Sequence, residues 1–152
     1  MYKTSVTYEN FDGEKVTKDL YFNLTKAEVA KLEASKSEFG GFSQYASSII
    51  KPASGKPDPN KVIEIFDDMI KRSYGVRTET GEFMKSKEAS EIFLSSEAYS
   101  ELFMRLLSDE EESTRFFEGI MPRDLVEAMH QKEANAESNV VEMPSKETPS
   151  SN

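Results

Sequence analysis

Residues 2–22 read YKTSVTYENFDGEKVTKDLYF, and this stretch decides the fold. Tyr2, Thr4, Val6 and Tyr8 alternate with Lys3, Ser5, Thr7 and Glu9; Val16, Leu20 and Phe22 then alternate with Thr17, Asp19 and Tyr21. A strand turns successive side chains to opposite faces, so this period of two predicts two strands, each with one face to bury. Between them, Asn10-Phe11-Asp12-Gly13-Glu14 supplies the turn, because Asp-Gly gives the positive φ that a tight reversal needs. A lone hairpin is marginal in water, so its apolar face must pack on helices.

The chain that follows has the signals for those helices. Thr25-Lys26-Ala27-Glu28 is a capping box, flanked by Leu24 and Val29 as a hydrophobic staple, and predicts a short helix to about Ser35. Gly40-Gly41 breaks the chain, and Phe42, Tyr45, Ile49 and Ile50 share a face of a second helix ending at Lys51. After the loop Lys51–Pro57, Asp58 and Pro59 read as N-cap and first residue of a helix carrying Val62, Ile63, Phe66, Met69, Ile70 and Tyr74, with Gly75 just past its end. Residues 76–85 read as a loop or short extended piece around Thr80-Gly81. Helical spacing resumes at Ser86 with Ile92 and Phe93, breaks at Ser95-Ser96, and continues in Tyr99, Leu102, Phe103, Leu106 and Leu107. Ser108-Asp109-Glu110-Glu111 reads as a second capping box for a helix bearing Phe116 and Phe117 and stopping near Gly119. Pro122 opens a last helix with Leu125, Val126 and Met129.

The expected class is therefore α+β, mainly α. A hairpin over residues 1–24 packs on a domain of about five to six helices over 25–134, as one fold. Residues 135–152 contain two valines, one methionine and no aromatic residue among many Ser, Pro, Asn and Glu. Such a segment cannot offset the entropy of ordering, and a disordered tail is expected there.

Composition excludes more than it assigns. There is no apolar run of about 18 residues, so no transmembrane helix and no membrane partner is expected, and Met1–Val6 begins no signal peptide. The absence of cysteine rules out disulfides, thiolate metal sites and Cys nucleophiles, and the single histidine, His130, rules out multi-histidine metal sites. The net charge of −9 argues against a nucleic-acid partner. That charge is uneven: residues 1–85 are neutral, 86–134 carry −7 and 135–152 carry −2.

Neither a Gly-rich phosphate loop nor a Gly-x-Ser-x-Gly nucleophile occurs. Asp67 and Asp68 are adjacent, so on a helix they point about 100° apart. The run Asp109–Glu112 suits the positive end of a helix better than a metal site, and His130 suits a helix end. No catalytic residue, metal site or cofactor is expected. The unusual feature is apolar: Phe103, Met104, Leu106, Leu107, Phe116, Phe117, Ile120 and Met121 crowd a short acidic segment. They are either core or a surface of the adaptable, Met-rich kind that receives apolar helices. Adjacent pairs such as Leu106-Leu107 and Phe116-Phe117 cannot all face one core.

Four stretches resemble the tail assembly chaperones of long-tailed, siphovirus-type bacteriophages. They are Tyr21-Phe22-Asn23-Leu24-Thr25-Lys26-Ala27-Glu28, the segment Ile65–Gly75, Phe83-Met84-Lys85-Ser86-Lys87-Glu88, and Ser96-Glu97-Ala98-Tyr99-Ser100-Glu101-Leu102-Phe103. The resemblance runs from about residue 5 to residue 128 and leaves the tail outside. It implies a non-enzymatic protein that keeps the long, apolar, helical tape measure protein soluble and promotes assembly of major tail protein around it. It further implies action in the host bacterial cytoplasm, absence from the mature virion, and a longer form of the same chain made by ribosomal frameshifting. Composition adds Tyr99, Leu102, Phe103, Leu106, Phe116, Phe117 and Met121 as the expected partner-binding residues. Two rivals are an acidic phage inhibitor that mimics DNA on a host protein, favoured by the charge, and a structural virion component.

Overall fold

The computed structural model describes residues 1–142. These fall into two compact units, Met1–Met121 and a second from Pro122 onward.

The first unit opens on strands β1 (Tyr2–Glu9) and β2 (Lys15–Phe22), paired antiparallel from Tyr2↔Phe22 to Glu9↔Lys15. Their turn is closed by backbone bonds from Asn10 to Glu14 (2.8 Å) and from Gly13 to Asn10 (3.0 Å), with Gly13 at φ +79°. The Asn10 carboxamide also accepts from the amides of Asp12 and Glu14, at 3.0 and 2.9 Å. The alternation read from the sequence is the one that packs. Tyr2, Val6, Leu20 and Phe22 are buried, while Lys3, Ser5, Thr7 and Asp19 are exposed.

The helices α1 (Lys26–Ser35), α2 (Phe42–Ile50) and α3 (Pro59–Ser73) follow, with a short 3-10 turn over Ser37–Phe39. Thr25 and Glu28 make both bonds of the capping box, and Asp58 caps α3 by accepting from the Asn60 amide at 3.0 Å. The chain then returns to the sheet as β3 (Tyr74–Arg77), antiparallel to β2, and β4 (Phe83–Met84), antiparallel to β3. The sheet thus has four strands in the order β1-β2-β3-β4, the hairpin being joined by two short strands that meet across residues 76–84, where the sequence allowed a short extended piece. Gly75 does follow the α3 C-cap, Tyr74, but it is not in the left-handed conformation of a capping glycine. It lies within β3, where a Cβ would come 2.3 Å from the Phe83 ring and 2.9 Å from the Met84 carbonyl. A glycine there permits the strands to approach, a need set by a residue eight positions on.

Helices α4 (Lys87–Leu94), α5 (Glu97–Ser108) and α6 (Glu110–Ile120) complete the unit. The second capping box expected at Ser108–Glu111 is instead a simple cap one residue on: Asp109, rather than Ser108, caps α6 by accepting from the Glu112 amide at 3.1 Å, and its own amide donates to the Arg105 carbonyl. Helix α6 ends at Ile120, one residue past Gly119 and as expected near it, and Gly119 lies against Tyr2 of β1.

The core centres on Phe22. Its ring meets those of Tyr2, Tyr74, Phe93 and Phe116 at centroid distances of 6.1, 5.7, 6.1 and 5.4 Å. Tyr74 stacks on Phe93 at 4.1 Å. Burying one such ring contributes about 1.5–3 kcal/mol. The exit of β2 is fastened twice, by Asn23 donating to the Ser73 carbonyl (2.8 Å) and Leu24 to the Ile120 carbonyl (2.7 Å). The hairpin is thereby tied to the ends of α3 and α6, as its one apolar face required.

The second unit, as far as it is described, is helix α7 (Arg123–Glu142) after Pro122. The Pro122 carbonyl accepts from the Leu125 and Val126 amides at 3.1 and 3.2 Å. The tail expected from residue 135 coincides with α7 over 135–142, and its remainder lies outside the described residues.

Candidate functional site

Helices α5 and α6 carry the apolar residues singled out in the sequence, and each sorts them by the 100° step between neighbours. In α5, Ala98, Leu102 and Leu106 recur every four residues and are at most 1% exposed, against β1. Arg105 sits beside them and donates to the Thr4 hydroxyl (2.9 Å) and the Ser5 carbonyl (3.0 Å). The opposite side holds Met104, 60% exposed, and Leu107, 37% exposed. In α6, Phe116 and Ile120 point inward, while Phe117 lies one step round and is half-buried. The adjacent pairs are therefore split: Leu106 in and Leu107 out, Phe116 in and Phe117 at the margin.

Leu102, Leu106 and Phe116 have essentially no exposed surface, so in the folded unit they face the core. Tyr99, Phe103, Phe117 and Met121 are half-buried. Two of these, Tyr99 of α5 and Phe117 of α6, reach α3, at the adjacent residues Asp67 and Phe66. Tyr99 stacks on Phe103 at 5.7 Å and its hydroxyl donates to Asp67 of α3. Phe117 packs on Phe66, the residue before Asp67, at 5.2 Å. Met121 follows α6 directly. Along α5 the Tyr99–Phe103 stack is thus an aromatic seam continued by exposed Leu107 and Met104, and Phe117 adds a half-buried ring on α6. Met104 and Leu107 lie off the Ala98–Leu102–Leu106 stripe, a displacement visible in the spacing alone.

The polar groups at the seam hold it in place. Lys71 pairs with Asp67 at 2.6 Å. Burial works against the Asp67 carboxylate, yet the Lys71 and Tyr99 bonds hold it below the usual carboxylate range. Burial and the Asp67 carboxylate together push the Tyr99 phenol well up. The pattern repeats at the other end of α6. The Tyr2 hydroxyl donates to Glu112, and burial with that bond pushes Tyr2 up to about 12. The acidic run at the α6 N-terminus is engaged locally: Asp109 caps, Glu112 takes the Tyr2 proton donor, and Arg115 reaches Glu111 (3.3 Å) and Glu112 (3.4 Å). Among the described residues, no group of three or more His, Cys, Asp or Glu is placed to hold a metal ion. No helix among them is long and apolar enough to cross a membrane. What the arrangement offers is apolar, partly open surface on a rigid support.

Among known proteins, the chain matches over residues 1–152 the model of a family described as phage tail assembly chaperone. No curated protein and no solved structure matches it.

Proposed function

Because the chain belongs to the phage tail assembly chaperone family, we propose that it holds the tape measure protein soluble and presents it for tail tube assembly. Its partners are tail-related proteins, and within that class a long, apolar, helical chain is the client this surface suits. The observation that carries the reading is the half-buried Tyr99–Phe103 stack on α5 extended by exposed Met104 and Leu107, with half-buried Phe117 on α6. Aromatic and methionine side chains at the edge of a firm core can receive the apolar stripe of a helix without a fixed sequence. Met121 closes one end. Leu102, Leu106 and Phe116 support the surface from beneath. The net −7 over residues 86–134 keeps chain and client dispersed by self-repulsion.

The role is non-enzymatic and cytoplasmic in the host, the protein leaves before the virion is complete, and a frameshifted longer form shares the work with major tail protein as second partner. The acidic-inhibitor reading finds no support in the family.

Co-expression provides the test. With the tape measure protein of the same phage, the wild-type chain should raise its soluble fraction several-fold. The triple substitution Phe103→Ser, Met104→Ser, Leu107→Ser should abolish that gain while the variant itself stays soluble and helical. A client equally insoluble with and without the wild-type chain would sink the proposal.

A further inference from the structure

The hairpin turn poses a separate question. Phe11 is 92% exposed, yet the turn that carries it is held by two backbone bonds and two more to the Asn10 side chain. A large ring is thus kept in water on a rigid mount. Between this turn and the corner joining α4 to α5 lies an open cleft of about 530 Å³. Its apolar wall is formed by Tyr8, Phe11 and Ile92, the last 61% exposed. Glu9, Glu91 and Glu97 stand around it with one cation, Lys18. Among the described residues none of these three carboxylates is in an ion pair.

We propose that this cleft is a second docking site, for an amphipathic partner helix whose apolar face is flanked by lysine or arginine. The volume suits a few large apolar side chains, within the range of roughly 300–1,000 Å³ for binding clefts. Phe11 and Ile92 are aliphatic and aromatic anchors of the type that dominates interfaces. Three carboxylates against one ammonium set the sign of the partner: basic flanks complete the unpaired acids, and acidic flanks meet like charge. None of the seam residues lines this cleft, so the proposal stands whether or not the tape measure protein is the client.

The test uses the full chain and two fluorescein-labelled synthetic peptides of about 18 residues, five helical turns, sharing one leucine face. One has lysine flanks, the other glutamate flanks. By anisotropy the lysine peptide should bind, and Phe11→Ser or Ile92→Ser should weaken it at least about tenfold. Glu91→Gln with Glu97→Gln should weaken it less, and the glutamate peptide should bind at least about tenfold more weakly than its lysine counterpart. Both apolar substitutions are at exposed positions, and unchanged circular dichroism will establish that the fold is intact. Equal binding of the lysine peptide by wild type and both serine variants would overturn the proposal, as would equal binding of the two peptides or no binding of either. If Phe11→Ser instead dissolves a self-associated form in sedimentation, the occupant is a second copy and the proposal also fails.

Discussion

Gly119 is the penultimate residue of α6, where alanine would ordinarily be better by at most about 1 kcal/mol, the helix-interior figure. Its Cβ would stand 2.9 Å from the Tyr2 Cβ, an atom too near the backbone to swing aside. Tyr2 is further held by the Phe116 ring at 5.3 Å and by Glu112. Moving β1 to admit a methyl costs about 1–3 kcal/mol, so the clash outweighs the propensity gain. Gly119→Ala should therefore lower stability by about 1 kcal/mol in urea unfolding; an unchanged or raised midpoint would show the strand free to move. Gly75 and Gly119 share a lesson about legibility. Both look like helix ends in sequence, because a glycine after a helical stripe is a local signal. Both do stand at or beside a helix end, but the need for glycine comes from a distant residue, Phe83 and Tyr2, which no local rule contains. The candidate surface was legible to a similar degree. The density of Phe, Leu and Met marked a segment that holds both core and exposed apolar residues, but composition did not separate Leu106 from Leu107; one 100° step did.

At the level of elements, the hairpin and the major helices were readable because their signals are local: alternation in Tyr2–Phe22, the box at Thr25, the Asp58-Pro59 start. Strands β3 and β4 were readable only as a loop or short extended piece, since two to four residues are too few for a period and the pairing of β3 depends on the edge that β2 offers. The α6 start shows how finely a cap can be placed. Ser108 and Asp109 both suit the role, and the structure gives it to Asp109. Asp109→Ala should cost about 1 kcal/mol, and Ser108→Ala should fall within a few tenths of wild type. Thermal unfolding of the two variants side by side checks this; a larger loss from Ser108→Ala would move the cap back by one residue.

For the molecule as a whole, the shifted groups predict a stability window with two edges. Glu28 and Asp67 are opposed by burial but held below their ordinary range by Lys85 and Lys71. Their contribution is full above the ordinary carboxylate value and is lost as pH falls through the lowered one. Tyr2 is raised from 10.0 to about 12, so its contribution is full below 10 and is lost as pH climbs to 12. Urea midpoints across pH should fall on both sides, and Tyr2→Phe with Tyr99→Phe should flatten the alkaline side; an alkaline fall identical to wild type would refute the assignment. The order of strands has a kinetic meaning as well. β1 and β2 are neighbours along the chain, but β3 reaches β2 only after three helices, with Asn23 finally bonding Ser73. The hairpin can form in microseconds, while the third strand waits on the closure of a loop of about fifty residues. Once such a loop is long, lengthening it costs little, about 0.6 kcal/mol per doubling. The exposed stretch over 53–57, between the ends of α2 and α3, is thus where the chain would tolerate an inserted tag or fluorophore at least expense to its folding.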